Sequence, residues 1–317
     1  ADSGDAFLGR WALTIPTGGA GWLEVKKENG KLAGSLLWGG GSVLPVASIA
    51  IENDVLTVTR AEPAAKGDAA KKSPRTPDVF TGRVEGDTLK LTMTTGPSAN
   101  REFTGKRIPP LPPKPNLARV KFGAPVTLFN GRDLTGWRLI DPKMANAWTA
   151  ENGVLANRPP HANAAAKKAA KKAGETTVRY GNLRTDAEYE DFNLKLEVSV
   201  PEGSNGGVYL RGIYEIQILD SYGKPLDSHN MGALYSRVTP SVAAEKPAGE
   251  WQTLDMTLVD RHVTVILNGK TIIDNQPALG CTGGAMWSDQ FRPGPIFLQG
   301  DHGPVSFRNI TLRPVVK

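Results

Sequence analysis

Apolar and polar residues alternate one for one along most of this chain, in short runs. Between Phe7 and about Lys106 the runs are 9–15, 21–26, 31–38, 55–59, 80–84 and 88–93. A strand turns successive side chains to opposite faces, so each run predicts a strand with one apolar face. Asn29-Gly30, Asn53-Asp54 and Gly86-Asp87 fall between runs, and such dipeptides tolerate positive φ and close hairpins. A meander of roughly six to eight strands closes most economically into a small antiparallel barrel, and Trp11, Trp22 and Trp38 are its expected filling.

A second pattern follows a break. Residues 108–115 (Ile-Pro-Pro-Leu-Pro-Pro-Lys-Pro) have fixed φ and few amide donors, which suits an extended linker and excludes a central strand. The expected division is a small barrel-like domain at 1–107, a linker at 108–123 and a larger domain at 124–317. In that domain 192–200, 251–259, 262–273 and 305–312 alternate over longer stretches, with hairpin turns at Asn152-Gly153 and Asn268-Gly269. Long antiparallel strands with one apolar face predict two stacked sheets, and the polar face of the inner, curved one makes a groove. The fold class is all-β.

Residues 207–220 (GVYLRGIYEIQILD) carry the most specific alternation. Tyr209, Arg211, Glu215 and Gln217 share one parity, while Val208, Leu210, Ile216 and Ile218 take the other. A merely solvated face more often carries Thr, Lys and Ser. An Arg, a Glu, a Gln and a Tyr in register suit a polyhydroxylated ligand, or else a cross-strand ion pair on an ordinary solvent face.

Composition narrows the class. Glycine (35) and proline (24) are plentiful in 317 residues, as expected for many strands joined by turns. The net charge of +6 does not signal nucleic acid. Much of the Lys excess sits in two Ala/Lys-rich inserts, 61–77 and 159–174, without interleaved stacking aromatics. One cysteine, Cys281, excludes an internal disulfide and a Cys-based zinc site. No apolar run approaches the ~20 residues of a membrane span. The start at Ala1-Asp2-Ser3-Gly4-Asp5 reads as a mature exported chain after signal-peptide removal, periplasmic or extracellular, or equally as a cut boundary.

Further motifs carry a resemblance. These are 128–137 (LFNGRDLTGW), 207–211 with 214–220, 232–235, 249–251, Asn268-Gly269, 294–303 (GPIFLQGDHG) and 307–310. In this order they resemble the 3-keto-disaccharide hydrolase family over about residues 124–314. The resemblance implies a concanavalin-like jelly roll, usually exported, that cleaves glycosides oxidised at carbon 3. A C3 ketone acidifies the C2 hydrogen, so one base, a donor near O3 and an acid for the leaving oxygen suffice, without the two-carboxylate pair of common glycosidases. Glu215 or His302 is the expected base or acid, and Arg211 or Arg308 the stabiliser of the enolate. Gln217, Tyr235 and Gln299, with Tyr209 and Trp251, are expected to bind the sugar. Asp220 is expected to cap a turn, with a divalent metal held by Asp220, Glu215 and His302 as the open alternative; no organic cofactor is predicted. The expected partner is an oligosaccharide or glycoside, and a non-catalytic, lectin-like carbohydrate binder is the competing class.

Overall fold

The computed structural model describes residues 3–61, 76–160 and 178–316. Most of both Ala/Lys-rich inserts lies outside the described residues. The chain forms two compact units, one of residues 1–110 with Leu279–Gln290, the other of Leu111–Ala278 with Phe291–Lys317. Among the described residues no helix is long and apolar enough to cross a membrane.

The first unit holds β1 (Gly9–Thr14), β2 (Ala20–Glu28), β3 (Lys31–Trp38), β4 (Leu44–Pro45), β5 (Ser48–Glu52), β6 (Val55–Thr59), β7 (Val79–Glu85), β8 (Thr88–Met93) and β9 (Glu102–Ile108). They form one sheet in the order β4-β3-β2-β1-β9-β8-β7-β6-β5. Its two ends, β4 and β5, are separated only by Val46 and Ala47. Val46 N donates to Gly34 O (3.0 Å) on β3 and Ala47 N to Thr59 O (2.9 Å) on β6, so one bent segment closes the ring. Trp11, Leu13, Leu23, Val25, Phe80 and Leu91 fill it, and Trp38 packs against this core, stacked on Phe80 and edge-on to Phe103. Trp22 departs from expectation. Its parity is opposite to that of the core residues Leu23 and Val25, and its Nε1 donates to Leu279 O at 3.0 Å. It is thus buried under Leu279–Gln290, where Gly284 N also donates to Gly39 O (3.0 Å) and the lone Cys281 is buried.

The second unit holds β10 (Val126–Thr127), β11 (Trp137–Leu139), β12 (Trp148–Glu151), β13 (Val154–Asn157), β14 (Leu183–Thr185), β15 (Phe192–Ser199), β16 (Asn205–Leu210), β17 (Tyr214–Leu219), β18 (Trp251–Val259), β19 (His262–Leu267), β20 (Lys270–Pro277), β21 (Phe297–Leu298) and β22 (Val305–Pro314). One sheet runs β12-β13-β22-β15-β18-β19-β20, with β10 also on β22; the other runs β11-β14-β21-β16-β17. Every strand pairing is antiparallel. Phe192, Leu194, Leu196 and Val198 of β15 turn one way into the core, as do Val208, Leu210, Ile216 and Ile218 of the smaller sheet. Each such side chain contributes about 1.5–3 kcal/mol on full burial, enough to hold the register of strands whose opposite faces are polar. Asn152-Gly153 and Asn268-Gly269 both adopt positive φ and close the hairpins β12–β13 and β19–β20.

Candidate functional site

The polar face of the five-stranded sheet is laid out in rows. β16 and β17 place Tyr209 opposite Glu215 and Gly207 opposite Gln217. β21 adds Phe297 beside Tyr209, and Gln299 N donates to Gly207 O at 3.0 Å. Tyr209, Glu215 and Gln217 therefore stand together, as strand parity predicts, and Gln299 joins them. They do not form an open, solvated groove, because their exposures are 1%, 4%, 3% and 7%.

Hydrogen bonds order this cluster. Gln299 Nε2 donates to the Tyr209 hydroxyl (3.4 Å), which donates to Glu215 Oε2 (2.9 Å). Gln217 Nε2 donates to His229 O (3.0 Å). Phe297 lies parallel to Tyr209, ring centroids 4.0 Å apart, and fixes the phenol over the sheet. Beyond β17 the segment 232–235 continues the pairing, and Tyr235 N donates to Glu215 O at 3.0 Å. The Tyr235 ring stands edge-on to His229, which is in turn held by Asp227.

Burial dominates the electrostatics of Glu215. It pushes the carboxyl up from 4.5 to about 8, against the Tyr209 hydrogen bond and the charge of His302, which lower it, and with Asp301, which raises it. His302 Nδ1 pairs with Asp301 Oδ1 at 2.7 Å, and both side chains are about half exposed in the turn after β21. Tyr209 is raised well above its usual value, chiefly by burial and then by the Glu215 carboxylate, so it remains a hydroxyl donor. A carboxyl with a pKa near neutrality, in line with a fixed donor, can both take and give a proton.

Four expected residues stand elsewhere. Arg211 falls out of strand parity because the chain turns at 211–213 with Arg211 and Gly212 both at positive φ. Its guanidinium is buried, with Nε and Nη1 lacking hydrogen-bond partners, and its charge acts on Asp191, whose pKa it lowers. Arg308 and Trp251 belong to the outer face of the larger sheet. There Arg308 forms a two-pronged ion pair with Glu197 (3.0 and 3.2 Å) and its Cζ lies 4.0 Å over the Trp251 ring. Asp220 bonds not to the Ser221–Gly223 turn that follows it, which it is expected to cap, but to the turn before β16: its Oδ2 accepts from Gly203 N at 2.9 Å. Asp220, Glu215 and His302 do not gather as ligands, and among the described residues no three His, Cys, Asp or Glu side chains form a metal-binding group.

Residues absent from the expected set also shape the cluster. Phe297 and Asp301 flank the anticipated Gln299 and His302 in sequence. Gly207 has no side chain to attract notice, yet lies directly beneath the Glu215 carboxyl group.

Comparison with known proteins bears on this cluster. No curated protein is similar to the chain. A solved Parabacteroides distasonis protein, provisionally named a glycosyl hydrolase, is 28% identical over 66% of this chain and 94% of its own, at a TM-score of 0.47. A second protein of that organism, named alike, is 19% identical over 62% of this chain and 100% of its own, at 0.45. A carbohydrate binding module from Bacillus subtilis is 14% identical over 56% of this chain and 94% of its own, at 0.33. Residues 124–313, the larger part of the chain and all of the polar cluster, match one family profile. The protein is thus carbohydrate-active, and it belongs to the 3-keto-alpha-glucoside-1,2-lyase-like domain family.

Proposed function

We propose that the protein cleaves 3-keto-glycosides by elimination, with Glu215 as the proton-transfer group. The supporting observation is the buried Glu215 carboxyl, raised to about 8 and held by the Tyr209 hydroxyl. A base near neutral pKa suits a C2 hydrogen that a neighbouring C3 ketone has already made acidic. In its ionised form Glu215 takes the C2 proton, and the electron pair passes into the C3 carbonyl as an enolate. The pair then returns to form the C1–C2 double bond while the C1–O bond breaks. His302, oriented by Asp301, protonates the leaving oxygen. Water added across the new double bond releases the free 3-keto sugar. Gln217 and Gln299 each keep a buried side-chain oxygen without a hydrogen-bond partner, which suits them to accept from sugar hydroxyls.

The test is incubation with 3-keto-trehalose and, separately, with unoxidised trehalose, following 3-keto-glucose by mass spectrometry. Release from the keto sugar alone, with deuterium entering C2 in heavy water, supports the reading. Binding of 3-keto-glucosides without cleavage of any would replace it with a lectin-like role.

A further inference from the structure

We propose that Gly207 is a positioning residue of this site: the space left by its missing side chain seats the Glu215 carboxyl, with Oε1 over the glycine and Oε2 on the Tyr209 hydroxyl, where it transfers the proton. The proposal rests on the reading of Glu215 given above and deepens it.

The requirement at Gly207 is one of space. Its φ is not positive, so any residue could adopt its backbone conformation. A Cβ built there would stand 3.0 Å from both Cγ and Cδ of Glu215 and closer still to Oε1, inside the range that carbon contacts occupy. Its neighbour Gly206 serves the other face, where a Cβ would meet Val305 Cγ2 at 2.8 Å. The Gly206-Gly207 pair thus makes room once for the core and once for the site.

The consequence for Glu215 is directional. Gln217 stands opposite Gly207 on one side, and Gln299 is bonded to it on the other. A side chain from β17 leaning between the two glutamines has the glycine beneath it. Tyr209 donates to Oε2 and its oxygen receives the Gln299 amide, so the carboxyl is held between the phenol and the glycine. Charged and titratable groups acting on this carboxyl include Tyr209, His302 and Asp301, and Tyr235 acts on Tyr209.

The experiment compares wild type, Gly207→Ala, Glu215→Asp and the Gly207→Ala/Glu215→Asp double variant, measuring kcat and KM against pH on a 3-keto-glucoside and unfolding in urea against pH. Gly207→Ala is expected to lower kcat roughly 10²-fold with KM within about twofold, the cost of moving a reacting group by about 1 Å. It is also expected to flatten the fall of stability between about pH 5 and pH 8. The shorter Asp should be less harmful when combined with Gly207→Ala than in the otherwise wild-type protein, because it relieves the collision. Full kcat with an unchanged stability profile, or strictly additive effects, would overturn the proposal. If wild type itself turns over no keto-glycoside, the functional reading fails while the stability profile still decides the role of Gly207. If Gly207→Ala does not fold, recovery of folding in Gly207→Ala/Glu215→Ala supports the clash, and failure to recover refutes it.

Discussion

Two polar faces of the same domain carry a glutamate each, and they use it in opposite ways. On the outer face of the larger sheet Glu197 meets Arg308 in a paired fork, and that contact lowers its pKa. On the polar face of the smaller sheet Glu215 meets a tyrosine hydroxyl, and burial outweighs both that bond and the charge of His302, raising it to about 8. The first arrangement compensates its charge and rests near solvent. The second leaves ionisation costly, which suits chemistry and disfavours stability at high pH. Chemical potential at a site thus comes from burial that outruns compensation, not from the number of charged residues on a face.

The sharpest break of this comparison is Glu215→Gln. It should lower turnover of a 3-keto-glucoside by roughly 10²–10⁴, measured as kcat at saturating substrate. It should also abolish the limb of the pH–rate profile near the value of about 8, since a base acts only above its pKa. Stability gives an independent reading. The folded value lies above the ordinary 4.5, so the folded state holds more protons between about 4.5 and 8, and stability falls as pH rises through that window. Urea denaturation should show that slope in wild type and its loss in Glu215→Gln; a slope surviving the substitution would assign the titration elsewhere.

A smaller effect is expected from Tyr209→Phe. The Tyr209 hydrogen bond lowers the Glu215 pKa, so its removal raises that pKa further and leaves less ionised base at neutral pH. Turnover at pH 7 should fall about tenfold for each unit of that rise and recover toward alkaline pH. A uniform loss at every pH would instead mean that the phenol touches the substrate.

The smallest effect belongs to the outer face. Arg308→Ala breaks the Glu197 pair and uncovers Trp251, yet both charged partners are partly exposed, with side-chain values of 36% and 23%. The cost should be at most about 1 kcal/mol in urea denaturation, with kcat unchanged. A marked loss of kcat would return Arg308 to the site.

The all-β class, the hairpin turns and the sharing of one face by Tyr209, Glu215 and Gln217 were legible in the sequence, because each follows from local rules: two-residue periodicity and positive-φ dipeptides. The alternation of Phe192, Leu194, Leu196 and Val198 had one physical solution, burial on a common face. Arg211 shows where such rules stop. One residue past the end of β16 the backbone enters a left-handed turn, and parity no longer says where a side chain goes. Trp22 shows the same for burial, since an apolar residue on the outer side of a barrel strand is buried by Leu279–Gln290, far along the chain. Arg308 and Trp251 lie on strands the pattern predicted correctly, but only packing decided which of two sheets, and which face, they occupy. The raised carboxyl of Glu215 is likewise a tertiary property: the residue type supplies the acid, while the exclusion of water by surrounding chain, with a glycine beneath it, supplies the pKa. Sequence determined the periodicity and hence the strands; tertiary structure decided which polar residues lost their water, because desolvation depends on neighbours that are distant in the chain.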